Sequence, residues 1–242
     1  MKKLALLSLF AVLVFGMATG TLANAQCPSG CLFYGGDFDP NNPNANGLAN
    51  ETDAIVGGDP YGAATYQNFV NSQTWNVTGL FTNNLSYLTP TAGYWEVRSG
   101  MHDYYGGTLI AAGTTAVTNT PTGRGGFGYP ERHNEVDGLH VSLPAGMYWE
   151  AVVPVCPTCE DRSFNGNTFG LNSVGTQISN QQFWCATYFD FCYINANYEG
   201  VFPTFSSGVL GTEVPEPSSL LMLGSGLLAD AAAVRDRSRR TQ

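Results

Sequence analysis

Residues 26–213 contain no lysine, and charged residues of either sign make up only 12% of the whole sequence. The basic residues of this region are four arginines, set against sixteen aspartates and glutamates, which leaves a net charge of −12. A surface of this sign repels nucleic-acid phosphates and anionic lipids, so we expect no nucleic-acid partner. It suits cations or neutral polymers. The arginines are Arg98, Arg124, Arg132 and Arg162.

The same region lacks sustained helical periodicity and instead shows short apolar or alternating runs between turn residues. Trp75 and Val77 share one face of such a run, and Trp95 and Val97 share one face of another. Short strands at this spacing predict an all-β fold, a single antiparallel β-sandwich of jelly-roll type. The predicted strands are 65–70, 74–81, 94–98, 108–117, 140–143, 147–155, 182–189 and 193–196.

Polar and glycine-rich stretches separate the predicted strands. Residues 27–59 and 160–168 are rich in Gly, Asp, Asn and Pro or otherwise polar, and we predict loops there. Residues 123–128 contain four glycines but open no helix, which argues against nucleotide binding and predicts a hairpin tip.

The N-terminus has the layout of a cleavable secretion signal. Two lysines precede an apolar run at 4–14, which is shorter than the roughly 20 residues of a membrane span. Small side chains follow at Ala23 and Ala25, the positions −3 and −1 of a cleavage site. We therefore predict a signal peptide at 1–25 and Gln26 as the first mature residue.

The C-terminus has three parts in a fixed order. An extended motif, Val214-Pro215-Glu216-Pro217, precedes an apolar segment at 220–234. A cluster of arginines closes the chain and would hold that segment with the bulk of the protein outside the cytoplasm. These retention charges are Arg235, Arg237, Arg239 and Arg240.

This three-part order at residues 214–242 resembles the PEP-CTERM sorting signal of Gram-negative bacteria that make exopolysaccharide. The resemblance implies an exosortase-type processing enzyme as partner, cleavage near the Pro215-Glu216-Pro217 motif, and delivery to the cell envelope or extracellular matrix. Residues 75–80 and 94–100 also resemble strands of jelly-roll domains found in PEP-CTERM proteins.

Asp230 interrupts the apolar segment of the tail, which we expect to form a sorting helix. An acidic side chain at mid-membrane costs roughly 2.5–3.5 kcal/mol on insertion scales. We therefore expect a transient inner-membrane contact in the precursor rather than a lasting anchor.

All six cysteines lie in the exported region, and an even number in an oxidising compartment predicts disulfides. Their grouping favours three local pairs, with pairing between the groups left open. The Cys156-Pro157-Thr158-Cys159 spacing also occurs in redox enzymes, but here it follows a strand and leads into a polar loop. The candidate pairs are Cys27–Cys31, Cys156–Cys159 and Cys185–Cys192.

Two kinds of polar site are candidates. Asp37, Asp39 and Asn41 alternate as calcium ligands do, but the segment lacks the Gly and Glu of an EF-hand. A looser calcium site would add Glu51 or Asp53, and its alternative is an Asx-rich turn. No other cofactor is expected, because His102, His133 and His140 match no zinc signature.

Exposed aromatic rings are candidate sugar contacts, because the apolar face of a pyranose stacks on flat side chains. Tyr104, Tyr105, Phe127 and Tyr129 lie in turn-rich segments. The sequence thus favours a non-catalytic envelope or matrix protein that associates with exopolysaccharide. The alternative is a secreted polysaccharide hydrolase, for which Glu131 and Glu135 are candidate carboxylates.

Overall fold

The computed structural model describes residues 27–51, 62–156, 161–185 and 193–215. The predicted signal peptide and its cleavage site lie outside the described residues, as does the tail from Glu216 onward.

Within the described residues the chain forms fifteen β-strands and a 3₁₀ turn at Ala196–Tyr198. The strands are β1 Cys31–Tyr34, β2 Gly47–Ala49, β3 Ala63–Asn71, β4 Trp75–Ser86, β5 Ala92–Ser99, β6 Thr108–Ala116, β7 Thr118–Gly126, β8 Tyr129–Val136, β9 Val141–Leu143, β10 Gly146–Val155, β11 Ser163–Thr168, β12 Gln182–Cys185, β13 Ile194–Asn195, β14 Thr204–Phe205 and β15 Ser207–Glu213.

The strands form two antiparallel sheets, which confirms the predicted all-β class. One sheet has nine strands, with β4 at its centre: β4 pairs with β15 and β11 along one side and with β8 and β9 along the other. The second sheet has the order β13-β12-β3-β10-β5-β6. The pair is a β-sandwich, and its antiparallel strands are consistent with the predicted jelly-roll type.

An apolar core lies between the sheets. Leu80 of β4 and Val136 of β8 meet Val97 of β5 and Val152 of β10 there, each at most 1% exposed. Alternation along β4 follows the prediction, because Trp75 and Val77 are buried whereas their neighbours Asn76 and Thr78 are exposed. The register of β4 with β15 shifts between Val77 and Gly79. Beyond this shift the even-numbered residues of β4, like those of β8, face the core and the odd-numbered ones face outward.

One end of the sandwich interior is polar. The Asn165 amide of β11 donates to the hydroxyls of Thr65, Thr82 and Ser207 at 3.1, 2.9 and 2.9 Å. Prediction of a loop at 160–168 was therefore wrong for β11. The polar side chains of β11 form hydrogen bonds inside the sandwich. A segment whose composition predicts a loop can therefore be a buried strand, because its amide groups keep hydrogen-bond partners.

Two further loop predictions need correction. The stretch 27–59 contains β1, which pairs with β15, and β2, which pairs with β11. The glycine-rich stretch 123–128 is a strand as far as Gly126, and its tip consists of Phe127 and Gly128 only. The predicted strand at 182–189 continues to Cys185 in the described residues.

Candidate functional site

An aromatic groove opens on the outer face of the nine-stranded sheet, with a volume of about 260 Å³. Phe127 at its rim is 62% exposed. The rings of Tyr129 and Phe164 meet edge to face at its base, with centroids 5.7 Å apart. The lining residues are Asn46, Gly47, Leu85, Phe127, Tyr129 and Phe164.

The β7–β8 turn sets the position of Phe127. Gly126 pairs with Tyr129, so Phe127 and Gly128 form a two-residue loop with φ values of 55° and 87°. Positive φ at both positions matches a hairpin turn of type I′, which normally carries Asn or Gly. A bulky aromatic residue in this region is strained, and such strain is concentrated at functional sites.

Phe38 supports the turn from below. It is 2% exposed, and its ring centroid lies 5.9 Å from that of Phe127. A Cβ atom on Gly126 would come within 2.5 Å of the Phe38 ring, and one on Gly166 within 2.6 Å. The two glycines therefore form the slot that this ring fills.

Tyr87 fixes the turn from the side. Its hydroxyl donates to the carbonyl oxygen of Gly128 at 2.6 Å, and its ring packs against Tyr129 with centroids 5.5 Å apart. Tyr87 is itself 56% exposed, so it extends the aromatic surface beyond the groove.

A buried charge cluster lies next to the groove on the same sheet face. Arg124 on β7 reaches two carboxylates: its Nη1 lies 2.7 Å from Asp37 Oδ1, and its Nη2 lies 2.6 Å from Glu131 Oε2. Glu131 follows Tyr129 by two residues on β8, so their Cα atoms are about 7 Å apart. We call Asp37, Arg124 and Glu131 the charge cluster.

Hydrogen bonds complete the charge cluster. Tyr34 donates its hydroxyl to Asp37 Oδ1 at 2.7 Å, and Asn172 donates to Oδ2 at 2.7 Å. Thr122 donates to Glu131 Oε2 at 2.7 Å, while the buried Oε1 has no hydrogen-bond partner among the described residues. Burial raises the pKa of Glu131, and Arg124 and Thr122 lower it by less.

The two candidate hydrolase carboxylates have different partners. Glu131 bonds Arg124, whereas Glu135 lies 3.0 Å from His133 Nε2. Four residues along a strand put their Cα atoms about 13 Å apart, with His133 between them on the same face. His133 also bonds Asn83 through Nδ1 at 2.8 Å.

The candidate calcium ligands have other partners. Asp37 belongs to the charge cluster, and Asp39 Oδ1 accepts from the backbone and side-chain nitrogens of Asn41 at 2.9 and 3.2 Å. Glu51 pairs with Arg162 at 2.6 Å, and Asp53 lies outside the described residues. The described residues contain no group of three or more His, Cys, Asp or Glu side chains placed to hold a metal ion.

The other two candidate aromatics lie on the opposite side of the sandwich. Tyr104 and Tyr105 are 72% and 50% exposed, in the β5–β6 connection that packs over the six-stranded sheet. Tyr105 stacks against His102, with centroids 5.1 Å apart. The structure therefore divides the four predicted rings between two faces. His140, the remaining histidine, is exposed.

Two cysteines of the predicted set form the disulfide Cys27–Cys31. Cys156 is also disulfide-bonded. The side chains of Cys159, Cys185 and Cys192 lie outside the described residues, so the other two predicted pairs stay predictions.

The residues that complete the groove are not apparent from local sequence. Asn46 and Phe164 in its lining, and Tyr87 beside it, come from three separate segments, which the pairing of β11 with β2 and β4 brings together. A usable signal is present at Phe164, since an aromatic ring amid polar residues at 161–168 contradicts a plain loop.

The C-terminal motif begins where the sheet ends. Val214 donates its backbone N–H to the Thr74 carbonyl at 2.8 Å, directly after β15, and Pro215 is exposed. The described part of the chain contains no helix with the length and apolarity needed to cross a bilayer.

Fold and tail together define a β-sandwich protein with a C-terminal sorting signal. Residues 213–240 match the family model of the PEP-CTERM protein-sorting motif. The chain therefore carries a PEP-CTERM sorting motif, which indicates a secreted protein that an exosortase sorts to the cell envelope. Neither a curated protein nor a solved structure matches the chain.

Proposed function

We propose that this protein is a non-catalytic component of the cell envelope or extracellular matrix that binds neutral polysaccharide through the aromatic groove. The observation that carries this proposal is Phe127, a ring 62% exposed and held in a strained turn. An apolar ring kept in water by a rigid support is suited to stack on a sugar face. The neighbouring hydroxyl of Tyr129 and amide of Asn46 supply polar contacts for the sugar hydroxyls.

The size and charge of the site support a neutral polymer as ligand. A volume of about 260 Å³ is near the lower end of small-molecule pockets, roughly 300–1,000 Å³. The groove therefore suits one or two sugar rings of a chain that continues over the surface. A net charge of −12 over residues 26–213 disfavours anionic polymers.

Burial of the charge cluster supports a binding role over a hydrolytic one. The side chains of Asp37 and Glu131 are 7% and 0% exposed, so a polymer lying in the groove does not reach them. We assign the charge cluster the task of holding β7, β8 and the segment around Asp37 in register beneath Phe127. Calcium is not needed for this role.

The proposed route to the envelope follows from the tail. The apolar segment holds the precursor transiently at the inner membrane, the arginines keep its end in the cytoplasm, and exosortase cuts near Pro215-Glu216-Pro217. Asp230 weakens the membrane insertion and thereby favours release of the product.

Binding of the secreted protein to insoluble neutral glucans, measured by pull-down, tests the proposed ligand. Phe127→Ala should weaken binding about two- to twelvefold, because stacking of one ring is worth about 0.5–1.5 kcal/mol. Tyr104→Ala, on the opposite face, is the matched control and should bind as the wild type does. Release of reducing sugar that is lost in Glu131→Gln or Glu135→Gln would instead establish the hydrolase.

A further inference from the structure

The sorting signal begins on a strand inside the sheet. β15 lies between β1 and β4, and it pairs with β4 as far as Glu213 opposite Trp75. Gln73 donates its amide to Glu213 Oε2 at 2.5 Å, and the Val214 N–H bonds the Thr74 carbonyl. The family match starts at residue 213, so the motif follows the folded sheet without a spacer.

β15 cannot be drawn out of the sheet to lengthen the tail. Val209 and Leu210 on this strand are 0% and 7% exposed, and the strand is paired with β4 along its length and with β1 at residues 208–210. Withdrawing it would expose the core and separate β1 from β4. A folded precursor therefore keeps Glu213 in place while the tail is in the membrane.

The tail leaves little distance between the domain and the lipid. Six residues, 214–219, separate Glu213 from the apolar segment that begins at Leu220. Fully extended, six residues span at most about 20 Å. One end of the sandwich must consequently lie at or near the membrane surface in the precursor.

That end is formed by two turns, 72–74 between β3 and β4 and 144–145 between β9 and β10. Asn71 ties the turns together, because its amide donates to the carbonyls of Gln73, Leu143 and Pro144 at 2.8, 2.9 and 2.8 Å. Its side-chain oxygen accepts from the Gly146 N–H at 3.0 Å. The two turns are thus one rigid surface, which we call the tail-proximal end.

The tail-proximal end differs from the rest of the domain in charge. Neither 71–74 nor 143–147 contains a charged residue, in a region whose net charge is −12. Ser72 and Ala145 are exposed, and so is Met147 at 40%. Glu213, which Gln73 contacts, lies beside these turns and is exposed. Because the turns themselves carry no charge and present an apolar side chain, they approach an anionic bilayer with less repulsion than the acidic remainder would meet.

We propose that the tail-proximal end faces the inner membrane in the precursor and is the surface against which exosortase cuts the tail. This inference rests on exosortase sorting of the chain. The substrate of exosortase is then a folded domain in a fixed orientation. The charge of the tail-proximal end, and not the motif alone, controls the rate of processing.

Conversion of full-length precursor to product, followed by immunoblot in cells that contain the exosortase, tests this orientation. Ser72→Glu with Ala145→Glu should slow conversion several-fold, because anionic lipid repels the two new negative charges. Thr89→Glu with Thr91→Glu is the matched control, since both residues are exposed at the opposite end of β4. This control should be processed at the wild-type rate.

A variant with a spacer tests the orientation of the domain independently of exosortase sorting. Twelve Gly/Ser residues inserted between Glu213 and Val214 should restore the conversion rate of the Ser72→Glu, Ala145→Glu variant. With the longer tail, the domain no longer has to lie close to the membrane. Equal rates in both charged variants would overturn the inference while leaving sorting intact. Glu216→Ala should abolish conversion in every background, and unchanged conversion there would reject exosortase sorting instead. Thermal unfolding of each variant confirms that the domain is folded.

Discussion

Glu131 and Glu150 are both buried in the sandwich, but only Glu131 faces a guanidinium. Glu131 lies on the outer face of the nine-stranded sheet, where Arg124 and Thr122 contact its Oε2. Glu150, on β10, lies between the sheets beside Gln67 of β3 and near the Ser207 hydroxyl, with no guanidinium of the described residues beside it.

The two sites therefore use burial in different ways. Burial raises the pKa of both carboxyls, and well above the ordinary value for Glu150, where only the Ser207 hydroxyl opposes it. At Glu131 a cation compensates the charge and joins β7, β8 and the Asp37 segment. At Glu150 no cation of the described residues compensates it, so burial favours the neutral form of this carboxyl. We therefore expect Glu131 to organise the candidate site and Glu150 to lower stability at neutral pH.

Removal of Arg124 should have the largest effect. Arg124→Ala leaves Asp37 and Glu131 buried without their cation, and breaking such a pair costs about 3–5 kcal/mol. We expect about 3 kcal/mol less stability at pH 7, the lower end, because the arginine side chain is 23% exposed. Denaturant unfolding measures this difference.

The Arg124 variant also has a predicted pH dependence. Loss of the cation raises the folded-state pKa of Glu131 further, so the deficit should grow as pH rises from the unfolded-state value of about 4.3. At pH 3 both states are protonated and the deficit should shrink. Arg132→Ala is the control, since Arg132 bonds Asn119 and no carboxylate in the described residues, and should cost under about 1 kcal/mol. Equal losses in the two variants would contradict the assignment of Arg124.

Much of the fold was predictable from alternation and turn residues. β3, β4, β5 and β10 follow the predicted runs because each has a clear apolar face against the core. β11 and β7 were missed for two physical reasons. Asn165 and its neighbours are buried through hydrogen bonds that only the distant strands supply, and Gly126 of β7 allows close packing against Phe38 instead of forming the turn.

The candidate site was predictable in part. Phe127 and Tyr129 were identified from exposure in a turn-rich segment, but Tyr104 and Tyr105 proved to lie on the other sheet's side. The charge cluster was not predictable, because Asp37 and Arg124 are 87 residues apart in the chain. Local sequence indicates which side chains are chemically able to act, and only the pairing of strands determines which of them meet.

Loss of the Thr122 hydroxyl should have an intermediate effect. Thr122→Val removes the donor to Glu131 Oε2 with little change of shape, and a hydrogen bond to a charged group contributes about 1.5–3 kcal/mol. We expect a loss of about 1.5 kcal/mol, because Arg124 still contacts the same oxygen. Thr120→Val, exposed on the same strand, should be neutral within about 0.5 kcal/mol. A neutral Thr122→Val would mean that the guanidinium alone holds Glu131.

Replacement of Glu150 should have the smallest effect and the opposite sign. Above about pH 4.3 the unfolded chain ionises this carboxyl, whereas the folded protein must keep it neutral or bury a charge, so the wild type loses stability as pH rises toward the folded-state pKa. Glu150→Gln stays neutral throughout and should be more stable by about 1 kcal/mol at pH 7, with no difference at pH 3. Thermal unfolding between pH 3 and pH 7 measures the stability difference at each pH. Glu199→Gln, at an exposed position, is the control and should change stability at neither pH. A destabilised Glu150→Gln at pH 7 would show that the carboxylate has a partner in the interior, and the contrast with Glu131 would no longer hold.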